Sequence, residues 1–301
     1  MVYGFMSAPF ISLLMPTRGR PELAERFIAS VLTHSSHLAH VEVVIYVDDD
    51  DTGSHHIASE LVAVKRIIGP RINMGACTKV CLEAARGDII VLANDDMVIR
   101  TTGWDTKLAE LHAGIPDGIY LAYANDLFKD SSVCTFPILS RATCKMLGEP
   151  FPAAYRGAFI DTHLMDIFRR LQHAGFDRVR YLKEVVFEHL HHRTGKAPFD
   201  ATYAARKRFD DDATYVALAP SRQLQAMRLL AALLGKPTQE YSQVTMEFQA
   251  AAPRGFMNAI EIYTQAFLLD TGLPWQSRCY QWIRFIARYL AANGWLRPFV
   301  R

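Results

Sequence analysis

The sequence has few cysteines, and they lack the spacing of a disulfide framework or a cysteine-based metal site. The 301-residue chain has five cysteines, an odd number, and no CxxC pair. We therefore expect reduced thiols in a cytoplasmic protein. No apolar run approaches the roughly 20 residues that a membrane span needs, so none is predicted. Residues 1–16 lack the basic start of a signal peptide, and none is expected.

Internal repeats and low-complexity segments are also absent, and charged residues make up only 21% of the chain. Half of the residues are hydrophobic, which is enough to bury a sizeable core. Residues 1–220 carry 24 basic and 27 acidic side chains (net −3), whereas residues 221–301 carry 9 and 4 (net +5). With the boundary signal at Pro220-Ser221, this shift predicts a mildly acidic domain over 1–220 and a basic helical region over 221–301.

Apolar runs alternate with amphipathic stretches over the first part of the chain. The β-branched and aliphatic runs predict strands at 10–15, 41–47, 62–68 and 89–92, and helical spacing of apolar residues predicts helices at 22–34 and 76–85. Strands and helices that alternate in this way predict βαβ units. The expected fold class is therefore α/β, with a Rossmann-like, mostly parallel sheet flanked by helices and a C-terminal helical extension.

Further elements follow from the same signals. Shorter β-like runs occur at 119–123, 134–140, 179–181 and 185–189, and helices are predicted at 103–112, 141–147 and 162–174. Beyond the boundary, helices are predicted at 222–234, 241–250, 258–269 and 276–292.

The strand at 89–92 ends abruptly in Asn94, Asp95 and Asp96. Open α/β sheets bind ligands at the carboxyl ends of their strands, so these side chains would lie at the rim of a cleft. Adjacent carboxylates repel each other unless a cation neutralises them or one of them is protonated. Mg²⁺ or Mn²⁺ would suit such oxygen ligands and would be shared with substrate phosphates. The alternative is a solvated acidic turn.

Polar clusters also follow the first two strands. Thr17 and Arg18 end the first strand, and four consecutive acids, Asp48 to Asp51, end the second. In a parallel sheet these ends share one edge, so the clusters would converge on one cleft. Arg71 and Lys79, on a loop and on the helix that it opens, could pair with phosphates there. The alternative for Arg71 is a surface salt bridge.

In their order, the segments LLMPTRGRP, VVIYVDDDD, RINMG and ARGDIIVLANDDM resemble the nucleotide-sugar domain of GT-A fold glycosyltransferases, near glycosyltransferase family 2. The resemblance covers roughly residues 10–200. It implies that Pro16-Thr17 ends the first strand of the donor site, and that Asp48, with Asp50 nearby, binds the nucleotide base. It also implies that Asn94-Asp95-Asp96 is the DxD-type motif and that Asp96 binds the metal. The first position is Asn94 here, which departs from the family pattern.

The family implies two more parts of the site. One is a catalytic base in an acidic motif that opens a helix, and Asp161 fits this position; the alternative is a helix N-cap. The other is a late metal ligand, often a histidine after the last strand. We expect His189 in this role, with His191 in reserve because alternate residues of a strand share a face. Lys196, in the loop that follows, would add a charge near the leaving group. A zinc site made from the histidines alone is a weaker alternative.

The resemblance implies a metal-dependent glycosyltransferase that uses Mn²⁺ or Mg²⁺ and a nucleoside diphosphate sugar, with a UDP-sugar as the expected donor. Family 2 further implies inversion at the anomeric carbon. One alternative is a nucleotidyltransferase, which would want a glycine-rich, basic phosphate loop; the segment from Thr17 to Arg20 resembles one only faintly. Another is a non-catalytic binding module with a degenerate site.

The sequence leaves the acceptor open. Five arginines of the C-terminal region are interleaved with aromatic residues: Arg278, Arg284, Arg288, Arg297 and Arg301 with Trp275, Tyr280, Trp282, Tyr289 and Trp295. Such a pattern can contact nucleic acid through phosphate pairing and base stacking. It can equally pack the tail onto the catalytic domain, with the arginines towards water. A nucleic-acid, saccharide or lipid-linked acceptor is compatible with the sequence.

Overall fold

An eight-stranded sheet forms the centre of the computed structural model, which describes residues 8–197, 199–200, 204, 207–236 and 250–295. The strands are β1 (Ile11–Thr17), β2 (Val41–Asp48), β3 (Ala63–Gly69), β4 (Ile89–Leu92), β5 (Met97–Ile99), β6 (Leu121–Asn125), β7 (Pro137–Ser140) and β8 (Val179–His189). Their order across the sheet is β3-β2-β1-β4-β7-β6-β8-β5. Only β7 and β5 run against the other six, so the predicted mostly parallel α/β sheet is confirmed.

The register of the first strands brings their carboxyl ends to one edge. Leu14 of β1 is opposite Val44 of β2 on one side and Leu92 of β4 on the other. All of β4 and all of β2 are buried, as expected of apolar runs covered on both faces of a sheet. The polar residues that follow each run therefore emerge together, which is the arrangement that the strand ends predicted.

Helices cover both faces of this sheet. They are α1 (Pro21–His34), α2 (Met74–Ala84), α3 (Trp104–Ala113), α4 (Arg141–Leu147), α5 (Ile160–His173), α6 (Asp212–Ala217), α7 (Ala219–Leu233), α8 (Phe256–Tyr263) and α9 (Trp275–Ala292), with a π-helical turn at Thr264–Leu268. Local chemistry sets several of their starts. Pro21 occupies the first turn of α1, and the side chains of Asn73 and Ser140 cap α2 and α4 by accepting backbone N–H groups.

Two hydrophobic cores lie on opposite faces of the sheet. One contains Phe27 of α1 and Trp104 of α3, and the other contains Cys81 of α2 and Phe168 of α5. The second core extends past residue 220, because Phe285 of α9 is fully buried within it. Residues on both sides of the predicted boundary therefore share one core, and the division into two domains at residue 220 stays a prediction. In the described parts of the chain, no helix has the length and apolar content to cross a membrane.

Some elements differ from the sequence prediction. The three-residue strand β5 and the six-residue helix α6 were not predicted, because elements this short show no periodicity. The runs at 179–181 and 185–189 form one strand, β8, whose pairing with β6 is interrupted between Leu182 and Val186. The helix predicted at 258–269 divides into α8 and the π-helical turn. The helix predicted at 241–250 lies almost wholly outside the described residues.

Many of the C-terminal arginines and aromatic residues pack against the protein. Arg288 donates from Nε to both carboxylate oxygens of Asp212, at 2.9 and 2.8 Å. Arg278 donates to the Leu268 carbonyl, and Trp282 donates its indole N–H to Thr264. These contacts favour the packing interpretation over nucleic-acid binding. Three aromatic side chains of the set remain exposed, Trp275, Tyr280 and Trp295, and Arg297 and Arg301 lie outside the described residues.

A buried ionic network joins α5 to the C-terminal helices. Asp166, which is 2% exposed, accepts from Arg170 Nε at 2.7 Å and lies 3.3 Å from the guanidinium of Arg222, which is fully buried. Arg170 in turn forms a bidentate pair with Asp270, at 2.9 and 2.6 Å. Burial raises the pKa of Asp166, but the two arginines outweigh it and hold that pKa below its usual range. Because buried charges are costly without partners, this network should fix how the helices pack.

We predict that Asp166→Asn lowers the free energy of unfolding by about 3–5 kcal/mol, because it leaves the Arg222 charge buried without its carboxylate. The measurement is urea unfolding followed by circular dichroism. Asp117→Asn is the matched control, since Asp117 pairs with Arg178 at 2.8 Å on the surface. That substitution should cost at most about 1 kcal/mol. If both variants lose the same free energy of unfolding, the buried network does not stabilise the protein more than a surface ion pair does.

Candidate active site

The turn after β4 directs one of its two carboxylates into the protein. Asp95 is buried and accepts from the Thr17 hydroxyl at 2.9 Å and from Arg20 Nη1 at 3.2 Å. Burial, followed by the neighbouring charge of Asp96, raises the pKa of Asp95 to about 6. Arg20 also donates to both carboxylate oxygens of Asp200, at 2.8 and 2.7 Å. Asp95 therefore anchors the turn, and Arg20 connects the turn to the segment that follows β8.

Asp96, just before β5, is paired with a histidine that ends the neighbouring strand β8. His189 Nε2 lies 3.3 Å from Asp96 Oδ2, and both residues are buried. The short strand β5 brings them together, because Met97 is opposite His189 in its antiparallel pairing with β8. The backbone supports the same arrangement, since Leu190 N–H donates to the Asp96 carbonyl at 2.9 Å. The structure thus brings together the two residues that the sequence suggested as metal ligands.

The second histidine, His191, lies beside the first. Their ring centroids are 4.9 Å apart, and the His191 ring stacks on Phe128 at 5.4 Å. Burial, with the charges of His189 and His192, lowers the pKa of His191 to about 4. His191 is therefore neutral at physiological pH, as a metal ligand must be. Whether it binds a metal stays a prediction.

A buried carboxylate that sequence reasoning missed shapes the wall of the histidine site. Asp126 Oδ1 accepts the backbone N–H groups of Phe128, Lys129 and Asp130 at 2.6–3.0 Å, and Oδ2 accepts the Thr135 hydroxyl at 2.6 Å. This places the Phe128 ring against both His189 and His191. The sequence did carry a signal, because Ala-Asn-Asp follows a strand at 124–126 as it does at 93–95.

On the donor side, the acids after β2 hold the basic residue that follows β1. Arg18 donates to buried Asp48 at 2.6 Å and forms a bidentate pair with Asp50. This pairing raises the pKa of Arg18 and lowers that of Asp50. The exposed Arg71 is close enough to Asp50 to lower its pKa further. Arg18 and Arg20 thus contact carboxylates in this structure, which does not favour the phosphate loop that a nucleotidyltransferase would require.

The remaining donor-site predictions are placed as follows. Pro16 lies within β1, opposite Tyr46 of β2. Lys79 lies in the second turn of α2 with its Nζ 3.9 Å from Glu149. Lys196 donates to Glu188 at 2.7 Å. Asn94 stands at the start of the acidic turn and is partly exposed. Their roles in donor binding stay predictions.

The predicted base, Asp161, lies in the first turn of α5. It is partly exposed, and its Oδ1 accepts from the N–H and hydroxyl of Thr162 at 2.6 and 3.2 Å. The N-cap residue of α5 is Phe159, so Asp161 does not cap the helix in this structure. Burial of the carboxyl raises the pKa of Asp161. A carboxylate with a raised pKa is a better proton acceptor than an ordinary one.

A cavity of about 270 Å³ opens beside Asp96 and is lined by Gly19, Arg20, Glu22, Ala197 and Asp200 among others. A larger one, of about 450 Å³, lies at the far end of α5, between that helix and α7. We place the active site at the smaller cavity. Asp96 lies in its wall and is paired with His189, whereas none of the residues predicted for the site lines the larger cavity.

The residues around Asp96 fit a cation that is shared with a substrate. Among the described residues, no group of three His, Cys, Asp or Glu side chains is arranged to hold a metal ion. A zinc site built from the histidines alone therefore finds no support in the part of the chain that the structure describes. The carboxylate suits Mg²⁺ or Mn²⁺, and the imidazole 3.3 Å from it can complete a Mn²⁺ site. Such ions commonly take only one or two protein ligands and complete their coordination with phosphate oxygens and water.

The raised pKa of Asp95 leads to a prediction about stability. A group whose folded pKa lies above its unfolded value stabilises the protein at low pH, and this contribution is lost as pH rises through the folded pKa. For Asp95 the window runs from about pH 4 to about pH 6, and the full effect is about 3 kcal/mol. Asp95→Asn removes the titrating group. The free energy of unfolding of the variant minus that of the wild type should therefore rise between about pH 4 and pH 7. Urea unfolding in the presence of EDTA measures it. A difference that stays constant over this pH range would contradict the prediction.

Comparison with known proteins agrees with this geometry. Residues 12–126 match the family model described as glycosyl transferase family 2. The search of curated proteins found no match. Among solved structures, S. aureus TarS 1–349 is 12% identical with a TM-score of 0.55, and the alignment covers 97% of this chain and 93% of that one. The same protein in complex with UDP-GlcNAc is 14% identical, with a TM-score of 0.55 and the same coverage.

A mannosyltransferase from Pyrobaculum calidifontis, PcManGT in complex with GDP-Man and Mn²⁺, is 16% identical over 96% of this chain and 76% of that one. Its TM-score of 0.47 is too low for its ligands to bear on this protein. The likeness to TarS shows the fold, and the family match identifies the segment that carries the acidic strand ends. Residues 12–126 of this chain are thus similar to glycosyltransferase family 2, and the chain has the fold of the TarS structures, a GT-A fold.

Proposed function

We propose that the protein transfers a sugar from a nucleoside diphosphate sugar to an acceptor hydroxyl with the help of a divalent cation. The observation that carries this proposal is the pair formed by Asp96 and His189 at the carboxyl edge of the sheet. A carboxylate and an imidazole held at this distance beside a cavity provide two ligands for a cation and leave its other positions for a diphosphate.

The donor would lie along the ends of β1, β2 and β4. Asp48 is buried at the end of β2, where its carboxylate can accept a hydrogen bond from an N–H of the nucleotide base. Arg18 holds that carboxylate in place through its own pair with Asp50. The solved TarS structures contain UDP-GlcNAc in one case and UDP in another, which supports UDP-sugars as the first donors to test.

Each of the two acids of the motif has a separate task in this proposal. Asp96 and His189 would hold Mn²⁺ or Mg²⁺, and the cation would neutralise charge on the leaving diphosphate as a Lewis acid. Asp95, bound to Thr17 and Arg20, keeps the turn in shape so that Asp96 faces the cavity. Lys196, now paired with Glu188, is a further cation in the segment after β8.

Asp161 would act as the general base. Asp161 is partly exposed at the start of α5, and its raised pKa improves its carboxylate as a proton acceptor. It would accept the proton of the acceptor hydroxyl while that oxygen attacks the anomeric carbon and the bond to the diphosphate breaks. A single displacement of this kind inverts the anomeric configuration.

The cysteines bear on where the enzyme works. All five are free, and four of them are buried. Burial raises the pKa values of the Cys77 and Cys144 thiols to about 12, so these groups stay protonated and unreactive. Free thiols of this kind support a reducing compartment such as the cytoplasm.

We predict that the protein releases UDP from UDP-GlcNAc when Mn²⁺ is present and no acceptor but water is added. The matched variant is Asp161→Asn, which should bind the nucleotide normally while kcat falls by about 10²-fold, the scale of a lost general base. Nucleotide release is measured by a coupled assay, and nucleotide binding by calorimetry. An unchanged kcat in Asp161→Asn would remove this residue from the mechanism.

The metal assignment gives a second test. Asp96→Ala and His189→Ala should each weaken the Mn²⁺-dependent part of UDP binding by about tenfold or more, because each removes a ligand or the group that orients one. His192→Ala is the control, because this neighbouring histidine is not expected to be a ligand. Calorimetric titrations with and without Mn²⁺ provide the measurement. If His192→Ala loses the metal dependence and His189→Ala keeps it, the assignment is wrong.

A further inference from the structure

A buried carboxylate from the part of the chain beyond the family match holds the loop that leads into α5. Asp211, 3% exposed, accepts three consecutive backbone N–H groups: Arg156 at 2.8 Å, Gly157 at 3.0 Å and Ala158 at 2.7 Å. We propose that Asp211 is a positioning residue for the base Asp161. This inference rests on the function proposed above.

The first step of the connection is the residue between that loop and the helix. Phe159 has a left-handed backbone conformation, with φ of 67°, which is unfavourable for a residue with a large side chain. Its carbonyl accepts the His163 N–H at 2.7 Å and so begins the hydrogen bonding of α5. Asp161 is only two residues further on. Its position therefore depends on whatever keeps Phe159 in this conformation.

Aromatic rings and arginines from the chain beyond residue 207 hold the Phe159 side chain, and one of these rings belongs to α6, the helix that Asp211 precedes. The Phe159 ring packs against Tyr215 with centroids 4.7 Å apart, and against Phe285 at 5.8 Å. Tyr215 N–H donates to the Asp211 carbonyl at 2.8 Å, so the two residues lie one helical turn apart. The start of α6 thus holds the backbone of residues 156–158 through Asp211 and the side chain of Phe159 through Tyr215.

The chemistry of the carboxylate suits this role. The three N–H groups form a small cradle of positive partial charge, and an anion fills such a cradle well. Hydrogen bonds to a charged acceptor are stronger than neutral ones. An asparagine would place an N–H₂ group where one of the two acceptor oxygens now lies. The loop would then have to shift, and with it the start of α5.

A purely structural role for Asp211 makes a different prediction from a positioning role. Loss of a structural carboxylate lowers stability but leaves kcat unchanged in the molecules that remain folded. Loss of a positioning residue lowers kcat even in folded protein, because a small misplacement of a catalytic group costs up to about 10²-fold in rate. Donor binding should be unaffected in both cases, because neither the loop at 156–158 nor Asp211 lines the cavity beside Asp96.

The experiment compares Asp211→Asn with Asp270→Asn, using nucleotide release from UDP-GlcNAc with Mn²⁺. Asp270 is the matched control, because it is a buried carboxylate that pairs with Arg170 at the opposite end of α5. We expect Asp211→Asn to lower kcat by about tenfold or more with UDP affinity unchanged, whereas Asp270→Asn should lower only the melting temperature. A wild-type kcat in folded Asp211→Asn would overturn the inference.

A double variant tests whether Asp211 acts through Asp161. If it does, Asp161→Asn combined with Asp211→Asn should be no slower than Asp161→Asn alone, since the positioned group is already inactive. If kcat of the double variant falls by the product of the two single-variant factors, the inference is overturned. If Asp211→Asn does not fold, Asp211→Glu is tested instead, because it keeps the charge but displaces the carboxylate by one methylene. Its kcat should fall severalfold. An unchanged kcat in this variant would overturn the inference.

Failure of the two proposals can be distinguished. Absence of any Mn²⁺-dependent nucleotide release by the wild type would contradict the proposed function, and turnover that Asp161→Asn does not slow would remove Asp161 from it together with the positioning role of Asp211. A slow Asp161→Asn together with a fully active, folded Asp211→Asn would overturn the positioning role alone.

Discussion

Repulsion between carboxylates at one edge of the sheet is the constraint on which the rest of the site depends. The parallel register of β1, β2 and β4 brings Asp48, Asp50, Asp95 and Asp96 to the same edge. Arg18 neutralises the negative charges of Asp48 and Asp50, and Arg20 neutralises that of Asp95. Asp96 is paired with an imidazole, a partner that is charged only when protonated. A divalent cation at that point would complete the neutralisation that the arginines begin.

The part of the molecule around α5 and the C-terminal helices is organised by buried charges instead. Helix α5 is held near its start by Asp211, through the loop before it, and further along by the ionic network of Asp166, Arg170 and Asp270. Both sets of contacts come partly from the chain beyond residue 207. The C-terminal helices therefore support the element that carries Asp161, and they share its hydrophobic core. This explains why much of their basic and aromatic character is directed into the protein.

The sequence predicted the sheet and the position of the acids at its edge because both follow from local patterns. Long apolar runs predicted β1, β2 and β4, and the rule that ligands bind at strand ends then located the acids. The helical spacing of apolar residues also predicted the C-terminal helices, apart from the helix at 241–250, which lies almost wholly outside the described residues. The fold class and the likeness to family 2 glycosyltransferases are confirmed, whereas the roles of the individual site residues stay predictions.

The residues that were missed depend on contacts between distant parts of the chain. Arg20 is 180 positions from Asp200, and Asp211 is more than 50 positions from the loop that it holds. No local pattern specifies such partners. The short strand β5 was missed for a related reason, since three apolar residues become a strand only when β8 pairs with them. Asp126 alone had a local signal, the repeated Ala-Asn-Asp after a strand.

The interruption in β8 has a consequence for how the pair formed by Asp96 and His189 tolerates changes in chain length. Leu182 pairs with Ala124 and Val186 pairs with Asn125, so the residues between them form an excursion from the ladder. Only after this excursion does β8 take up the register that sets His189 opposite Met97, next to Asp96. Side chains alternate between the two faces of a strand, so a shift of one position would present Glu188 or Leu190 in place of the imidazole. A residue inserted or deleted within the excursion would leave His189 next to Asp96. The same change between Val186 and His189 would move the imidazole away from Asp96.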